Sequence, residues 1–365
     1  MTMDAGFLMQ RAIRLASRAR GMTSPNPMVG AVLVKNGRII AEDYHRKPGT
    51  PHAEALVIQK AGEKAKSSTL YVSLEPCCHI DKRTPPCTKE IVRAGIKRVV
   101  IAMKDPNPQV SGKGMRELEE AGIKVVSGIL EEKAQKLNEA YMKYITTKKP
   151  FVILKTAMTL DGKIATPEGQ SRWITGEKAR KMVHRLRSSV DAVMTAIGTV
   201  KADDPELTAR IRGGRNPKRI IIDPELEIPL NSKILRVPPD TIIVTKERNE
   251  TGDSPIRCKI DNLLTSGCYM LYFKEQLNLC WLMERLGERG ITSVMIEGGS
   301  SLNARALENG IVDKVMFFIA PKIIGGRESY PVVGGRTSRR LEEAYQLRNV
   351  TMKRVGEDFL VEGYL

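Results

Sequence analysis

The sequences "TPHAEALVIQ" (residues 50–59) and "LEPCCHIDKRTPPC" (residues 74–87) contain the most informative residues of the first part of the chain. His52 stands two positions before Glu54 at the start of a predicted helix, and Cys77 and Cys87 each follow a proline. One imidazole and two thiolates form a ligand set that holds zinc and leaves a fourth position open for water. The pattern therefore predicts a catalytic zinc centre in this part of the fold.

Glu54 is the candidate catalytic residue of that centre. A carboxylate beside zinc-activated water carries a proton to the departing amine in a hydrolytic deamination. Cys87 precedes a predicted helix start, where unpaired backbone N–H groups favour a thiolate. The alternative is a closed structural zinc knot, which would need a fourth ligand from Cys78 or His79 and would leave Glu54 without a task.

Composition limits the class of protein. A chain of 365 residues with 41% hydrophobic and 28% charged residues indicates a soluble protein of two domains. We expect a cytoplasmic protein with no membrane partner, because the chain has no run of 18 apolar residues and its first residues have helical periodicity rather than a signal-peptide pattern. The six cysteines are too few and scattered for a secreted disulfide framework, and we expect Cys258, Cys268 and Cys280 simply to pack.

The net charge of +17 is compatible with nucleic acid, but equally with a small phosphorylated substrate and a phosphorylated cofactor. Because the basic residues are scattered along the chain rather than gathered in one stripe, we expect no nucleic-acid partner.

The hydrophobic pattern predicts two α/β halves. In the first, "MVGAVLVKNGRIIAEDYH" (28–45) is typical of a β-hairpin around Asn36-Gly37, and helices then alternate with short strands up to one polar helix, "EEKAQKLNEAYMKYITTKKP" (131–150). The Lys-Lys-Pro end of that helix places the domain boundary between residues 148 and 149. In the second half we predict helices near 177–189, 276–289 and 300–309, and strands at "FVILKTAM", "DAVMTAIG", "RIIID", "TIIVT", "SVMIEGG" and "KVMFFIAP".

The motif H-x-E with a later P-C…P-C matches the signature of zinc-dependent nucleobase deaminases. Deaminases of free nucleosides or tRNA usually carry their cysteines as C-x-x-C, whereas nine residues separate Cys77 from Cys87. This spacing, with "RTPPC", "SPNPMVGAVLV" (24–34) and "DPNPQVSGKG" (105–114), resembles the deaminase domain of the bifunctional deaminase/reductase of riboflavin biosynthesis. The spacing is one residue longer than is usual in that family. Cys77, which follows Glu75-Pro76, is the expected ligand, and Cys78 is the alternative.

The second half resembles the reductase domain of the same family. The resemblance is carried by "KTAMTLDGKIA" (155–165), "SRWIT" (171–175), "HRLRSSVDAVMTAIGTVKADDPELTAR" (184–210) and "MIEGGSSLNARAL" (295–307). Together, the resemblances of the two halves imply a cytidine-deaminase-like α/β/α domain, residues 1–148, followed by a dihydrofolate-reductase-like α/β domain, residues 149–365. The cofactors implied are one zinc ion per chain and NADPH.

The same resemblance implies the substrate and its contacts. Deamination of 2,5-diamino-6-(5-phosphoribosylamino)pyrimidin-4-one would give 5-amino-6-(5-phosphoribosylamino)uracil, whose ribosyl group is then reduced to ribityl by NADPH. By similarity, NADPH would contact Ala157, Trp173, Thr199, Asp203 and Gly299. The substrate would contact Asn26, His45, Lys82, Asp105 and Asn107 in the first half, and Ser171, Arg187, Leu207, Arg210 and Glu297 in the second. We also expect a homo-oligomer.

The sequence does not decide which group donates the proton in the reduction. Lys155 and Asp161 are both candidates for the proton donor of the reduction, and water or the substrate itself could serve instead.

A tRNA or nucleoside deaminase with an added nucleic-acid-binding or scaffold domain is the alternative function. It would use the basic charge, but it predicts a C-x-x-C motif and RNA-binding signatures in the second half, and the sequence shows neither.

Overall fold

Each half of the chain builds its own sheet and its own hydrophobic core. The computed structural model describes residues 4–79, 85–238, 240–248, 254–335 and 340–365. The chain divides into two units, Met1–Lys148 and Lys149–Leu365. None of the helices in the described ranges has the length and apolarity that a membrane crossing requires.

The first unit contains, among its described residues, a five-stranded sheet in the order β2-β1-β3-β4-β5. β1 pairs antiparallel with β2 and β3, whereas β3, β4 and β5 run parallel. The strands are β1 (Gly30–Lys35), β2 (Arg38–Tyr44), β3 (Thr69–Val72), β4 (Arg98–Ile101) and β5 (Lys124–Ser127). The helices are α1 (Ala5–Ala16), α2 (Ala53–Ala61), α3 (Cys87–Arg93), α4 (Lys113–Glu120), α5 (Glu131–Leu137) and α6 (Glu139–Thr147).

Local sequence explains the first hairpin and its packing. Asn36 and Gly37 both have positive φ, 50° and 72°, which is the backbone that a tight two-residue hairpin turn requires. Gly30 lets β1 lie directly against α1, since a Cβ at this position would come within 2.1 Å of the Ala12 carbonyl oxygen. The predicted hairpin is confirmed.

The prediction of a single helix from residue 131 onward was wrong, because the chain forms two helices that separate at Asn138. The Asn138 side chain is buried and serves the backbone of Met28 instead. It accepts a hydrogen bond from the Met28 N–H (2.8 Å) and donates one to the Met28 carbonyl (3.0 Å). Two hydrogen bonds to a distant backbone segment therefore accompany the break in the helix.

The second unit is built on a nine-stranded sheet, within the described ranges, in the order β11-β10-β9-β8-β12-β6-β13-β16-β15, and on a small pair β14-β7. The sheet is parallel from β11 to β13, and β16 and β15 add an antiparallel edge. Its strands are β6 (Phe151–Thr159), β7 (Lys163–Ala165), β8 (Ala192–Ala196), β9 (Lys218–Ile222), β10 (Thr241–Lys246), β11 (Tyr269–Phe273), β12 (Ser293–Ile296), β13 (Lys314–Ala320), β14 (Tyr330–Pro331), β15 (Arg348–Val355) and β16 (Asp358–Tyr364). Its helices are α7 (Glu177–Ser189), α8 (Ile197–Asp203), α9 (Pro255–Thr265), α10 (Leu279–Glu288) and α11 (Ser300–Glu308).

All six strands predicted in the second half are confirmed, as are the three predicted helices, which are α7, α10 and α11. The antiparallel edge β15-β16 was missed; β15 is exposed along nearly its whole length and has no buried apolar face of the kind that marks a half-buried strand. The expectation that Cys258 packs was also wrong. Cys258 lies exposed on α9, whereas Cys268 is buried and Cys280 is half-buried.

Candidate active sites

The predicted zinc ligands of the first unit come together from three separate segments. His52 is the residue that caps the N-terminus of α2, Cys87 is the first residue of α3, and Cys77 lies in the loop that follows β3. His52 Nδ1 is 3.5 Å from Cys77 Sγ and 3.3 Å from Cys87 Sγ. One ligand atom from each of the three residues lies within 4.8 Å of the other two.

These distances fit a bound zinc ion. Tetrahedral zinc with Zn–N of about 2.1 Å and Zn–S of about 2.3 Å places the nitrogen and each sulfur about 3.6 Å apart. The observed separations of 3.5 and 3.3 Å are close to that value. Within the part of the chain that the structure describes, three protein donors come together, and they leave one position of a tetrahedral ion for water, as in a catalytic rather than a closed structural site.

The group of potential metal ligands contains Cys77 and not its neighbour Cys78. Cys78 is half-buried, whereas Cys77 and Cys87 are buried. Lys82, a predicted substrate contact in the segment between the two cysteine ligands, lies outside the described residues.

Glu54 is the second residue of α2, two positions after His52, which caps that helix. Only 3% of its surface is exposed, so the carboxylate is held inside the unit. It is not a member of the His52–Cys77–Cys87 group. It is therefore a buried carboxylate two residues along the chain from a candidate metal ligand.

Asn26 and His45, two predicted substrate contacts, lie together next to His52. The His45 ring is buried, and its centroid is 5.2 Å from that of the His52 ring. His45 Nδ1 is 3.2 Å from the Pro51 carbonyl, and Nε2 is 3.3 Å from Asn26 Nδ2. A carbonyl only accepts, so Nδ1 carries the proton, and Nε2 of the neutral ring accepts from the Asn26 amide. Burial lowers the pKa of His45, which favours this neutral form.

Asp105 and Asn107 occupy the loop that follows β4. Asp105 Oδ1 accepts hydrogen bonds from the Asn107 N–H (2.9 Å) and the Tyr141 hydroxyl (2.9 Å). Burial raises the pKa of the Asp105 carboxyl to about 6. Sequence reasoning missed Tyr141, because its position on α6 is 36 residues away from Asp105 and no motif joins the two.

In the second unit, Glu297 is the centre of a buried ion-pair cluster at the end of β12. Its carboxylate accepts two hydrogen bonds from the Arg187 guanidinium (2.6 and 3.1 Å) and one from Lys155 Nζ (3.0 Å). Burial alone would raise the pKa of the Glu297 carboxyl, but the two cations outweigh burial and hold the pKa well below its ordinary value. Arg187 also donates to the Thr208 carbonyl (3.1 Å), so much of the guanidinium predicted to bind phosphate is engaged within the protein.

Leu207 and Arg210 flank Thr208, whose carbonyl accepts the hydrogen bond from Arg187 in the Glu297 cluster. Both have positive φ, 53° and 46°, although neither is glycine. Arg210 Nε donates to the Thr208 hydroxyl (3.1 Å), and its guanidinium pairs with Glu206 at 3.0 Å.

Two of the predicted NADPH contacts, Thr199 and Gly299, are neighbours, and a third, Asp203, pairs with the predicted substrate contact Ser171. The Ser171 hydroxyl donates to Asp203 (3.1 Å), and a Cβ on Gly299 would lie 3.7 Å from the Thr199 hydroxyl oxygen. Gly299 caps the N-terminus of α11 and offers no side chain there, so the free N–H groups of the first turn remain available to an anion.

Trp173 is 61% exposed, and the Arg180 guanidinium carbon is 4.5 Å from its ring centroid.

Ala157 follows Lys155 by two positions on β6, so the two side chains point to the same side of the sheet.

Comparison with known proteins identifies both units. Residues 3–103 match the cytidine and deoxycytidylate deaminase zinc-binding region, and residues 150–361 match the RibD C-terminal domain. The first unit therefore has the expected cytidine-deaminase-like α/β/α fold, and the second has the expected dihydrofolate-reductase-like fold. Fold and sites together define a bifunctional enzyme, a zinc-dependent deaminase joined to an NADPH-dependent reductase.

The chain belongs to the family of the riboflavin biosynthesis protein RibD. RibD of Aquifex aeolicus (strain VF5) is 45% identical over 355 residues, which cover 97% of this chain and 96% of that protein. The structure of Acinetobacter baumannii RibD (form 1) is 36% identical, with a TM-score of 0.88 over 98% of each chain. The Thermotoga maritima diaminohydroxyphosphoribosylaminopyrimidine deaminase/5-amino-6-(5-phosphoribosylamino)uracil reductase is 39% identical, with a TM-score of 0.87 over 98% of each chain.

The family settles the general function predicted from the sequence. The chain is an enzyme of riboflavin biosynthesis that uses a phosphorylated pyrimidine substrate, zinc and NADPH. The alternative of a tRNA or nucleoside deaminase is not favoured, because the second half matches the RibD C-terminal domain.

Substitution of Cys77 and substitution of its neighbour Cys78 should affect the metal content of the protein differently. Cys77→Ser should lower bound zinc well below the level of about one ion per chain, because a zinc ligand is lost, whereas Cys78→Ser should leave it unchanged. Metal analysis of the purified variants checks this. Equal zinc in both variants, or loss only in Cys78→Ser, would contradict the ligand assignment.

Proposed function

We propose that residues 1–148 deaminate the diaminopyrimidinone phosphate that the name of the Thermotoga maritima relative implies, and that residues 149–365 reduce the ribosyl group of the product. The observation that carries the proposal is the group His52, Cys77 and Cys87 with the buried carboxylate of Glu54 beside it. A zinc ion held by the three ligands would supply the chemistry of an activated water. The protein must then orient the pyrimidine and move protons.

Glu54 is the proton carrier of the deamination. Its place in the first turn of α2, next to the ligand His52, brings a proton acceptor to the metal centre without using it as a ligand. A carboxylate in this position can take a proton from water and return one to the departing amine. Burial keeps bulk water from competing for that proton.

Asn26, His45, Asp105 and Asn107 bind the substrate. Because the Asn26 amide donates to His45 Nε2, its carbonyl oxygen is turned away from the histidine and can accept a hydrogen bond from the edge of the pyrimidine. Asp105 orders the Asn107 backbone, and so these two residues act as one loop unit.

Lys155 is the proton donor of the reduction, and Asp161 is not. Hydrogen bonds from the Thr159 hydroxyl and the Gly325 N–H lower the pKa of Asp161 to about 2, so that its carboxyl has no proton to give at neutral pH. Lys155 Nζ, by contrast, is an N–H donor on the central strand β6 and is held by Glu297. NADPH supplies the hydride when it is bound.

Ala157, Trp173, Thr199, Asp203 and Gly299 bind NADPH, and the sugar phosphate binds against Ser171, Arg187, Leu207, Arg210 and Glu297. The proximity of Thr199 to Gly299 supports the NADPH group, and the Ser171–Asp203 hydrogen bond joins a residue of one group to a residue of the other. Since Arg187 is paired with Glu297, its part in phosphate binding rests on the N–H groups that Glu297 leaves free.

The enzyme acts in the cytoplasm, and neither activity involves nucleic acid.

A homo-oligomer is expected from the sheet edge. β15 ends the nine-stranded sheet within the described residues, and Val350 and Met352 on it are 54% and 70% exposed. An eight-residue edge strand with exposed apolar side chains is a template for pairing with a second copy. Sedimentation velocity should therefore show a dimer or larger species, which Met352→Lys weakens; a purely monomeric wild-type chain would contradict the expectation.

Glu54→Gln separates proton transfer from metal binding. The variant should lose ammonia release by about a hundredfold or more, because the amide cannot carry the proton. Its zinc content and its NADPH oxidation on the deaminated substrate should match the wild-type chain. Glu63→Gln, which changes an exposed residue just after the same helix, is the matched control and should be fully active. Full ammonia release by Glu54→Gln would remove Glu54 from the mechanism.

Lys155→Met tests the donor of the reduction. The variant should lower the kcat of NADPH oxidation by about a hundredfold, with ammonia release unchanged as an internal control. Asp161→Asn should retain reduction within about tenfold, and the exposed Lys246→Met should behave as wild type. If Asp161→Asn loses as much as Lys155→Met, the assignment of the donor is wrong.

A further inference from the structure

Glu75 is a buried carboxylate that neither the zinc site nor the proton transfer uses. It stands two residues before Cys77 at the end of β3, and its N–H donates to the Met103 carbonyl (3.0 Å), which extends the pairing of β3 with β4. Only 3% of its surface is exposed. A carboxylate removed from water to this degree must be compensated by hydrogen bonds.

Three backbone N–H groups provide that compensation. Glu75 Oε2 accepts from Asp105 N (3.1 Å) and Gly112 N (3.0 Å), and Oε1 accepts from Met115 N (3.2 Å) in the first turn of α4. The first two bonds hold both ends of the loop 105–112, and the third holds the start of the helix that follows it. Such bonds to an ionised acceptor are about twice as strong as bonds between neutral groups.

Two glycines allow the loop to close on Glu75 and Pro76. Gly112 has a φ of +82°, which residues with a side chain rarely adopt. A Cβ at Gly114 would lie 2.2 Å from the Pro76 carbonyl oxygen and 3.2 Å from Glu75 Oε1. The spacing of the two glycines in "DPNPQVSGKG" is thus explained by their contact with the segment that carries Cys77.

The loop held in this way reaches both the proposed substrate contacts and the metal ligands. Asp105, whose N–H is bound by Glu75, accepts in turn from the Asn107 N–H. Val110, in the middle of the loop, is fully buried in a cluster with Cys77 and Cys87. Glu75 therefore fixes the distance between the loop that presents Asp105 and Asn107 and the segment that presents a zinc ligand.

We propose that Glu75 is a positioning residue of the deaminase site, which holds loop 105–112 against the metal centre and thereby sets the affinity for the pyrimidine substrate. The inference rests on the proposed function, in which Asp105 and Asn107 contact that substrate. Its effect falls on substrate binding, whereas Glu54 acts on proton transfer and His52, Cys77 and Cys87 act on the metal.

The test compares Glu75→Gln with wild type in the full-length zinc-loaded chain. The amide keeps the shape but turns one acceptor into a donor that faces a backbone N–H, so the loop should shift. We expect the KM for deamination to rise by about tenfold or more, with kcat changed much less. Zinc content and NADPH oxidation should be unchanged, and the exposed Glu119→Gln on α4 should match wild type.

A double-mutant cycle with Asn107→Ala distinguishes positioning from a general structural role. If Glu75 acts through the loop, the two changes should raise KM less together than the product of their separate effects. Additive effects, loss of zinc, a fall in kcat at unchanged KM, or no change at all would overturn the proposal.

If Glu75→Gln does not fold, Gly112→Ala displaces the same loop at one of its bonds to Glu75 while the carboxylate itself is kept. A comparable rise in KM would then support the proposal, and an unchanged KM would overturn it. A wild-type chain that releases no ammonia from the substrate would remove the proposed function and this inference with it, an outcome distinct from any effect confined to the variants.

Discussion

The requirement that a buried carboxylate be fully compensated governs the structure around both candidate sites. Glu75 and Glu297 each lie just beyond the end of a strand, with 3% of Glu75 and 9% of the Glu297 side chain exposed, but they are compensated differently. Glu75 accepts three backbone N–H groups and so determines the path of a loop. Glu297 is surrounded by Lys155 and Arg187 and so determines where two cationic side chains lie. In one unit the buried charge orders the main chain; in the other it orders side chains.

The deaminase centre also depends on how helices begin. His52 caps α2 and Cys87 is the first residue of α3, so two of the three predicted zinc ligands lie at the positive ends of helices. That environment favours a thiolate at Cys87, while the first turn of α2 brings Glu54 close to the ligand without making it one. The short spacing between His52 and Glu54 would therefore let a single helix start supply both of the proposed roles, metal ligand and proton carrier.

The sequence alone was sufficient to predict those features whose signal lies within a short stretch of residues. The Asn36-Gly37 turn, the strands of the parallel sheet and the donor set His52, Cys77 and Cys87 follow from short patterns with a direct physical meaning. Contacts between distant segments had no such pattern: Asn138 interrupts a helix in order to bind Met28, and Tyr141 reaches Asp105 across 36 residues. Glu75 was visible only as part of a motif, because its partners are backbone groups, which have no sequence signature.

The segment around Thr208 has a further consequence. Asp204, Leu207 and Arg210 all have left-handed φ angles without being glycine, at a cost of about 1–2 kcal/mol each. Hydrogen bonds hold them there, from Lys233 N–H to Asp204 and from Arg187 to the Thr208 carbonyl. Folding has thus already met the entropy cost of ordering this segment. A sugar phosphate bound against it would lose little affinity to loop ordering, and selectivity would arise from rigid complementarity rather than from induced fit.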